Sequence, residues 1–197
     1  MKTSETFGES KFYHDLIESI VTALEARDVY TANHSRRVSD MAEKICRFLD
    51  LNQKDIETIH IAADVHDIGK IGIPDHILLK PDKLMEDEWL IMKSHPTIGA
   101  NILSKSKLLE PVTSIVLHHH ERYDGKGYPD GLKGNDIPYG ARVIAVCDSI
   151  DAMLSKRPYR DPLSIQICRD EIEINIGYMY DPQIAECVLE NFNQIIN

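Results

Sequence analysis

The sequence predicts an all-α fold, a compact helical bundle. Apolar residues recur at helical spacing through most of the chain. No segment sustains the apolar/polar alternation of a half-buried strand. Prolines stand at the heads of apolar-periodic runs, where a missing N–H costs nothing. The chain has 197 residues, enough for one domain with a real core.

Taken in order, Leu16, Ile17, Ile20 and Leu24 share a helical face. They mark an N-terminal helical segment, residues 1–29, that either packs on the bundle or pairs with a second chain as a homodimer. The main domain is expected over 30–197. Val38, Met41, Ala42, Ile45, Phe48 and Leu49 predict an amphipathic helix from about Thr31 to Leu49. Asn52 reads as the N-cap of the next helix, with Asp55 in its first turn. That helix turns Ile56, Ile59 and Ala63 inward, and Gly69 marks its end. Residues 70–83, with Gly72, Pro74 and Pro81, form an irregular connection. A helix follows over Glu86 to Ser94, and Pro96 and Pro111 open the next two, the second ending near His119.

Arg122 to Ile137 holds Gly125, Gly127, Pro129, Gly131 and Gly134 and has no helical period, so it reads as a structured loop. Pro138 starts a helix through Met153, in which Val143 to Val146 is buried helix, not strand. Pro162 starts one near Leu163 to Ile174, and Pro182 starts the last. No internal repeat or linker is evident.

The net charge of −10 argues against a nucleic-acid polymer or an anionic membrane as partner. No apolar run is long enough to span a membrane, which takes about 18 residues or more. The polar N-terminus carries Glu5 and Glu9, unlike a signal peptide. The cysteines Cys46, Cys147, Cys168 and Cys187 are widely spaced and read as reduced thiols of a cytoplasmic protein.

The chemistry concentrates in His34, His66-Asp67, His95, His119-His120 and Asp148. Imidazole and carboxylate together suit transition metals. So many on one short chain suggest more than one metal, and hence phosphoester hydrolysis. His34, His66 and Asp148 each extend an apolar helical stripe, so three helices aim a titratable group at the core. Such groups are costly to bury unless paired or metal-bound. A buried hydrogen-bonded network without metal is the competing reading.

His34, His66-Asp67 and Asp148 match the H…HD…D pattern, and the chain resembles the HD superfamily of metal-dependent phosphohydrolases. With His95-Pro96, His119-His120-Glu121 and the run Asp124-Gly125-Lys126-Gly127-Tyr128-Pro129, it is similar to the HD-GYP branch from about Tyr30 to Pro182. The resemblance implies an all-helical bundle with a structured GYP loop that hydrolyses cyclic-di-GMP to pGpG, with GMP as a further product. It implies that His34, His66, Asp67 and Asp148 hold one divalent metal, iron or manganese. His95, His119, His120 and Asp67 would hold the second, with Asp67 bridging. Some members bind a third metal through a glutamate where this chain has Tyr30, so two metals are expected.

Two metals can grip a phosphodiester and lower the pKa of an attacking water. Lys70, about one turn beyond His66, would act with Asp67 in catalysis, binding a phosphate oxygen or helping the leaving oxygen depart. Arg157 and Arg160 would grip phosphates, as matching residues do in the family. Gly127, Tyr128 and Pro129 would edge the substrate site, or, as the resemblance equally implies, the same loop would be a docking surface for cyclic-di-GMP synthases. Glu121 and Asp151 would orient ligands from behind. His14, His60, His76 and His118 receive no role. Two other readings stand beside this one. The substrate could be another cyclic dinucleotide, such as cyclic GMP-AMP, or the domain could be a slow or inactive binding module. An HD-type nucleotide triphosphatase is disfavoured by the GYP segment.

Overall fold

In the computed structural model, residues 16–27, 33–156 and 161–197 are described. All regular elements among them are helical, apart from an isolated bridge between Ile176 and Tyr180. Residues 16–25 are the described part of α1. There follow α2 (His34–Phe48), α3 (Gln53–Val65), a 3-10 turn (Ile68–Gly72), α4 (Asp75–Leu78), α5 (Glu86–Met92) and α6 (His95–Leu103). The chain continues through α7 (Glu110–His118), α8 (Tyr139–Leu154), α9 (Ile165–Ile174), α10 (Pro182–Glu190) and α11 (Phe192–Ile196). None of these helices is long and apolar enough to cross a membrane.

Helix α2 packs on α3 and α8, α3 on α7, and α6 on both α7 and the 3-10 turn. Its stripe of Val38, Met41, Ala42 and Ile45 is buried, as the periodicity demands, but Phe48 at the end of the stripe is exposed. Helix α8 runs through the centre, with Val143, Ile144, Val146 and Ile150 inaccessible to solvent. Burying each such side chain is worth about 1.5–3 kcal/mol, so this helix anchors the bundle. The apolar run at 143–146 is therefore a core helix, as its flanks suggested.

Several boundaries differ from expectation for local reasons. Asn52 does cap α3, its Oδ1 accepting from the Asp55 amide at 3.1 Å. Gly69 does not end that helix, which stops at Val65. Gly69 lies instead in the 3-10 turn, against the start of α6. Helix α5 is shorter than Glu86 to Ser94 and buries no residue. The irregular connection 70–83 contains the single-turn α4. Helix α9 is started by Ser164, whose hydroxyl accepts from the Ile167 amide, and not by Pro162. The terminal helix is broken at Asn191 into α10 and α11. In α1, Ile17 and Val21 pack on the core, whereas Leu16 and Ile20 are exposed.

Arg27, just past α1, reaches back across the fold. Its guanidinium donates to the carbonyls of Lys70, Ile71 and Ile73 at 3.1, 2.7 and 2.6 Å, and forks onto Asp75 Oδ1. The turn that carries Lys70 is thus braced by this side chain in addition to its own main-chain bonds, from the Lys70 amide to the Asp67 carbonyl and from the Ile73 amide to the Lys70 carbonyl.

Candidate metal centre

The expected ligands gather from five places in the chain, mostly at helix ends. His34 is the first residue of α2, after Asn33 in a left-handed conformation (φ 60°). His66 directly follows α3, and Asp67 opens the 3-10 turn. His95 starts α6, His119 and His120 follow α7, and Asp148 projects from within α8. Helix ends allow rings from different directions to converge without opening a helix. Two backbones meet at the centre: a Cβ on Gly69 would lie 1.8 Å from the His95 carbonyl oxygen. Only glycine permits that approach.

Three groups have donor atoms within 4.8 Å of one another: His34/His66/Asp148, His95/His119/His120 and, spanning these two sets, His66/Asp67/His119. Asp67 stands between them. Its Oδ2 is 3.7 and 3.5 Å from the Nε2 atoms of His34 and His66, while Oδ1 is 3.3 Å from His95 Nε2. His34 Nε2 also lies 3.4 Å from Asp148 Oδ1.

The tautomers follow from the partners. His66 Nδ1 is 2.7 Å from the Ala63 carbonyl, His95 Nδ1 2.8 Å from that of Met92, and His119 Nδ1 2.7 Å from that of Val116. A carbonyl only accepts, so each Nδ1 carries a proton and each Nε2 is turned toward the other donors. Burial pushes the pKa of His95 down and that of His119 well down, and burial with neighbouring His95 takes His120 to about 3. His95 and His119 thus point two lone pairs at each other across 3.4 Å, with no proton between them. A cation satisfies that arrangement. Two donors each about 2.1 Å from one ion lie roughly 3.0–3.4 Å apart, which matches the spacing here.

His34 is held differently. Its Nδ1 donates to Asp151 Oδ2 at 2.7 Å, and Arg37 in turn grips Asp151 through Nε and Nη2. Burial opposes charge on His34, but Asp151, Asp148 and Asp67 carry its pKa above the ordinary value. Burial would raise the Asp67 pKa, yet Lys70, His66, His95 and His34 hold it well below the usual carboxylate range. Asp148 is likewise lowered against burial, by His34, His66 and His120. The lowered carboxylates and the lowered imidazoles of His95, His119 and His120 lean toward the protonation a divalent metal needs, while the acidic neighbours of His34 favour its charged form until a cation replaces that proton. Among the described residues, no such donor group includes cysteine. The residues fit a cation-binding centre.

Lys70 Nζ lies 2.6 Å from Asp67 Oδ2 and faces the cleft above the donors. Tyr128 also faces it, its ring 4.9 Å from that of His120. Gly127 departs from expectation: its Cβ position is filled by the backbone of Glu121 and Arg122, at 2.3–2.6 Å, so it seats the loop and does not edge the cleft. Pro129 does not line the cleft either. Glu121, expected behind the ligands, accepts from the amides of Asp130 and Gly131 at 2.8 and 2.9 Å, bracing the GYP loop. His118 tethers the same loop through Asp130 at 3.0 Å. Arg157, Arg160, Tyr30 and His14 lie outside the described residues. Arg37 was missed by sequence reasoning, although it lies one helical turn after His34.

A family model for the HD domain matches residues 18–184. The chain belongs to the HD domain family. A Thermotoga maritima protein named a cyclic di-GMP phosphodiesterase is 42% identical over 193 residues, covering 96% of this chain and 52% of that protein. A Vibrio cholerae protein named a 3'3'-cGAMP-specific phosphodiesterase is 38% identical, covering 92% of this chain and 35% of its own length. The chain thus spans about half or less of these relatives. The solved structure of a cyclic GMP-AMP-specific phosphodiesterase of V. cholerae matches over 90% of this chain and 48% of that one, with a TM-score of 0.71 at 18% identity. That likeness bears out the all-helical HD fold, and the named relatives bear out the resemblance to HD-GYP proteins carried by residues 119–129.

Proposed function

We propose that the protein is a metal-dependent phosphodiesterase that hydrolyses cyclic-di-GMP to linear pGpG, whose remaining phosphodiester is open to the same chemistry. The observation that carries this reading is the facing pair of bare imidazole nitrogens, His95 and His119, beside a carboxylate whose two oxygens serve both donor sets. His34, His66 and Asp148 would hold one ion and His95, His119 and His120 the other, with Asp67 shared. When bound, two ions supply charge for a phosphodiester and acidify an attacking water. The mixed nitrogen and oxygen donors suit iron or manganese.

The chain's own groups do the rest. The Nδ1 hydrogen bonds hold the imidazoles so that their Nε2 atoms need no reorganisation. Lys70, a compact cation on the cleft wall, neutralises a phosphate oxygen and can donate a proton to the departing ribose oxygen. The cleft has a volume of about 660 Å³, within the range of sites that enclose a small molecule. Arg157 and Arg160 are proposed as further phosphate grips. Docking of a cyclic-di-GMP synthase at the GYP loop belongs to the same reading, and exposed Lys126 and Asp130 offer charged contacts there.

The test is hydrolysis of cyclic-di-GMP by protein purified without oxygen and loaded with manganese or ferrous iron, with Asp67→Ala as control. Metal-dependent formation of pGpG, lost in the variant, supports the reading. A relative named for cGAMP favours running 3'3'-cGAMP in parallel. Turnover of that nucleotide alone moves the substrate, and turnover of neither, at full metal occupancy, sinks the enzyme.

A further inference from the structure

The cleft wall away from the metal donors is built by residues 77–92. Helix α5 within it buries none of its residues, yet it carries Trp89, the single tryptophan of the chain, at 48% exposure. Tryptophan is normally well buried, yet this ring is half exposed and lies outside the hydrophobic core. The wall is held in place. Lys80 Nζ bridges to Glu88 Oε2 at 2.5 Å, and the same oxygen accepts from the Met85 amide at 2.7 Å. Trp89 is therefore presented to the cleft on a braced turn of helix.

The charge around it points to the ligand. Lys70, Lys80, Lys83 and Lys156 line this cleft, together with Asp82 and, at its floor, Asp67, Asp148 and Asp151, whose charge a bound cation would offset. Cations and metal donors suit phosphates, and an aromatic face suits a purine. A cyclic dinucleotide combines both, with its phosphates in the ring and its bases projecting from it. Indole is the best of the side chains for stacking on a base because its π-face is the largest.

We propose that Trp89 is a substrate-binding residue that stacks on one purine of the cyclic dinucleotide while the phosphates sit over the metal donors. The inference rests on the reading of the substrate as a cyclic dinucleotide. It adds a contact from a segment, residues 77–92, that carries no ligand or motif residue.

The single tryptophan makes the test direct. Mixing metal-loaded protein with cyclic-di-GMP in a stopped-flow fluorimeter quenches the indole emission, and the signal returns as product leaves. Trp89→Ala raises KM by about 10- to 100-fold, the scale of one lost base stack, and leaves kcat close to wild type. Trp89→Phe restores most of the KM. Metal content equal to wild type in both variants separates lost stacking from a damaged fold. Hydrolysis without any fluorescence change, or a KM in Trp89→Ala within twofold of wild type, overturns the proposal and leaves the phosphodiesterase reading intact. If the wild type hydrolyses nothing, the same titration becomes an equilibrium measurement. Quenching then keeps Trp89 as a dinucleotide contact in a binding module, and its absence overturns the proposal.

Discussion

Gly69→Ala replaces one hydrogen by a methyl group and should disable the metal centre. The new carbon would sit 1.8 Å from the His95 carbonyl oxygen, 2.6 Å from the Gly99 nitrogen and 2.8 Å from the His95 carbonyl carbon. Close C···O contacts settle at about 3.3–3.6 Å, so the 3-10 turn and the start of α6 must part by roughly 1.5 Å. All the clashing atoms are main chain, so no side chain can swing aside. The turn carries Asp67 and α6 carries His95, now 3.3 Å apart at Oδ1 and Nε2. Their separation grows by a similar amount, and the shared carboxylate loses one of its two sides. The steric cost falls at the upper end of the overpacking range, about 3 kcal/mol, which for a chain of this size lowers Tm by roughly 6–12 °C. A displacement of about 1 Å at a reacting centre costs on the order of 100-fold in rate, so turnover should drop at least that far. Gly72→Ala is the control, because its Cβ would meet only Ile98 side-chain atoms at 3.1 Å. Calorimetry and metal content of both variants decide the matter. A Gly69→Ala protein with wild-type Tm and wild-type metal content would falsify the claim that backbone contact sets the centre.

Three other expectations follow from the same geometry. Asp151→Asn removes the charge that His34 Nδ1 and Arg37 both use, and should weaken metal binding by about 10- to 100-fold; chelator competition measures this, and unchanged affinity would refute it. The Arg122 hydrogen bonds hold the Asp124 carboxyl down at about 2, against roughly 3.9 in an unfolded chain. A lowered folded pKa gives stability that is present above the unfolded value and lost as pH falls through the folded one. Denaturant unfolding from about pH 5 to about pH 2 should therefore show a steeper loss in wild type than in Asp124→Asn, and identical slopes would count against the pair. All four cysteines are buried, and burial pushes the thiols of Cys46 and Cys168 up to about 12 and about 11. A thiol reagent at mildly alkaline pH should label them only after denaturation, and rapid labelling of the native protein would contradict the core packing.

The candidate ligands were legible because imidazoles and carboxylates rarely gather on a short chain at such telling intervals, and the structure brings them together. Helix starts were legible where a local signal suffices, as at Asn52 and at Pro182, which opens α10. The rest depends on contacts between distant parts of the chain. Arg37 meets Asp151 across 114 positions, and nothing near either residue announces the pair. Gly69 reads as a helix stop until the start of α6 is seen against it. Glu121 sits beside ligand histidines in sequence, but its carboxylate turns to amides nine and ten residues on. Trp89 lies in a helix with no buried face, so hydrophobic patterning had no core stripe on which to place it.

The reach of Arg27 sets a practical limit on how this fold can be cut. A fragment beginning at His34 keeps all seven candidate metal donors and the whole GYP loop. It would nevertheless take the Arg27 guanidinium from the carbonyls of Lys70, Ile71 and Ile73, leaving Lys70 only its bond from the Ile73 amide, and leave Asp75 without its cation. The working unit therefore starts upstream of its first motif residue. A minimal version trimmed to the motif would bind metal on a turn whose lysine is no longer held from behind.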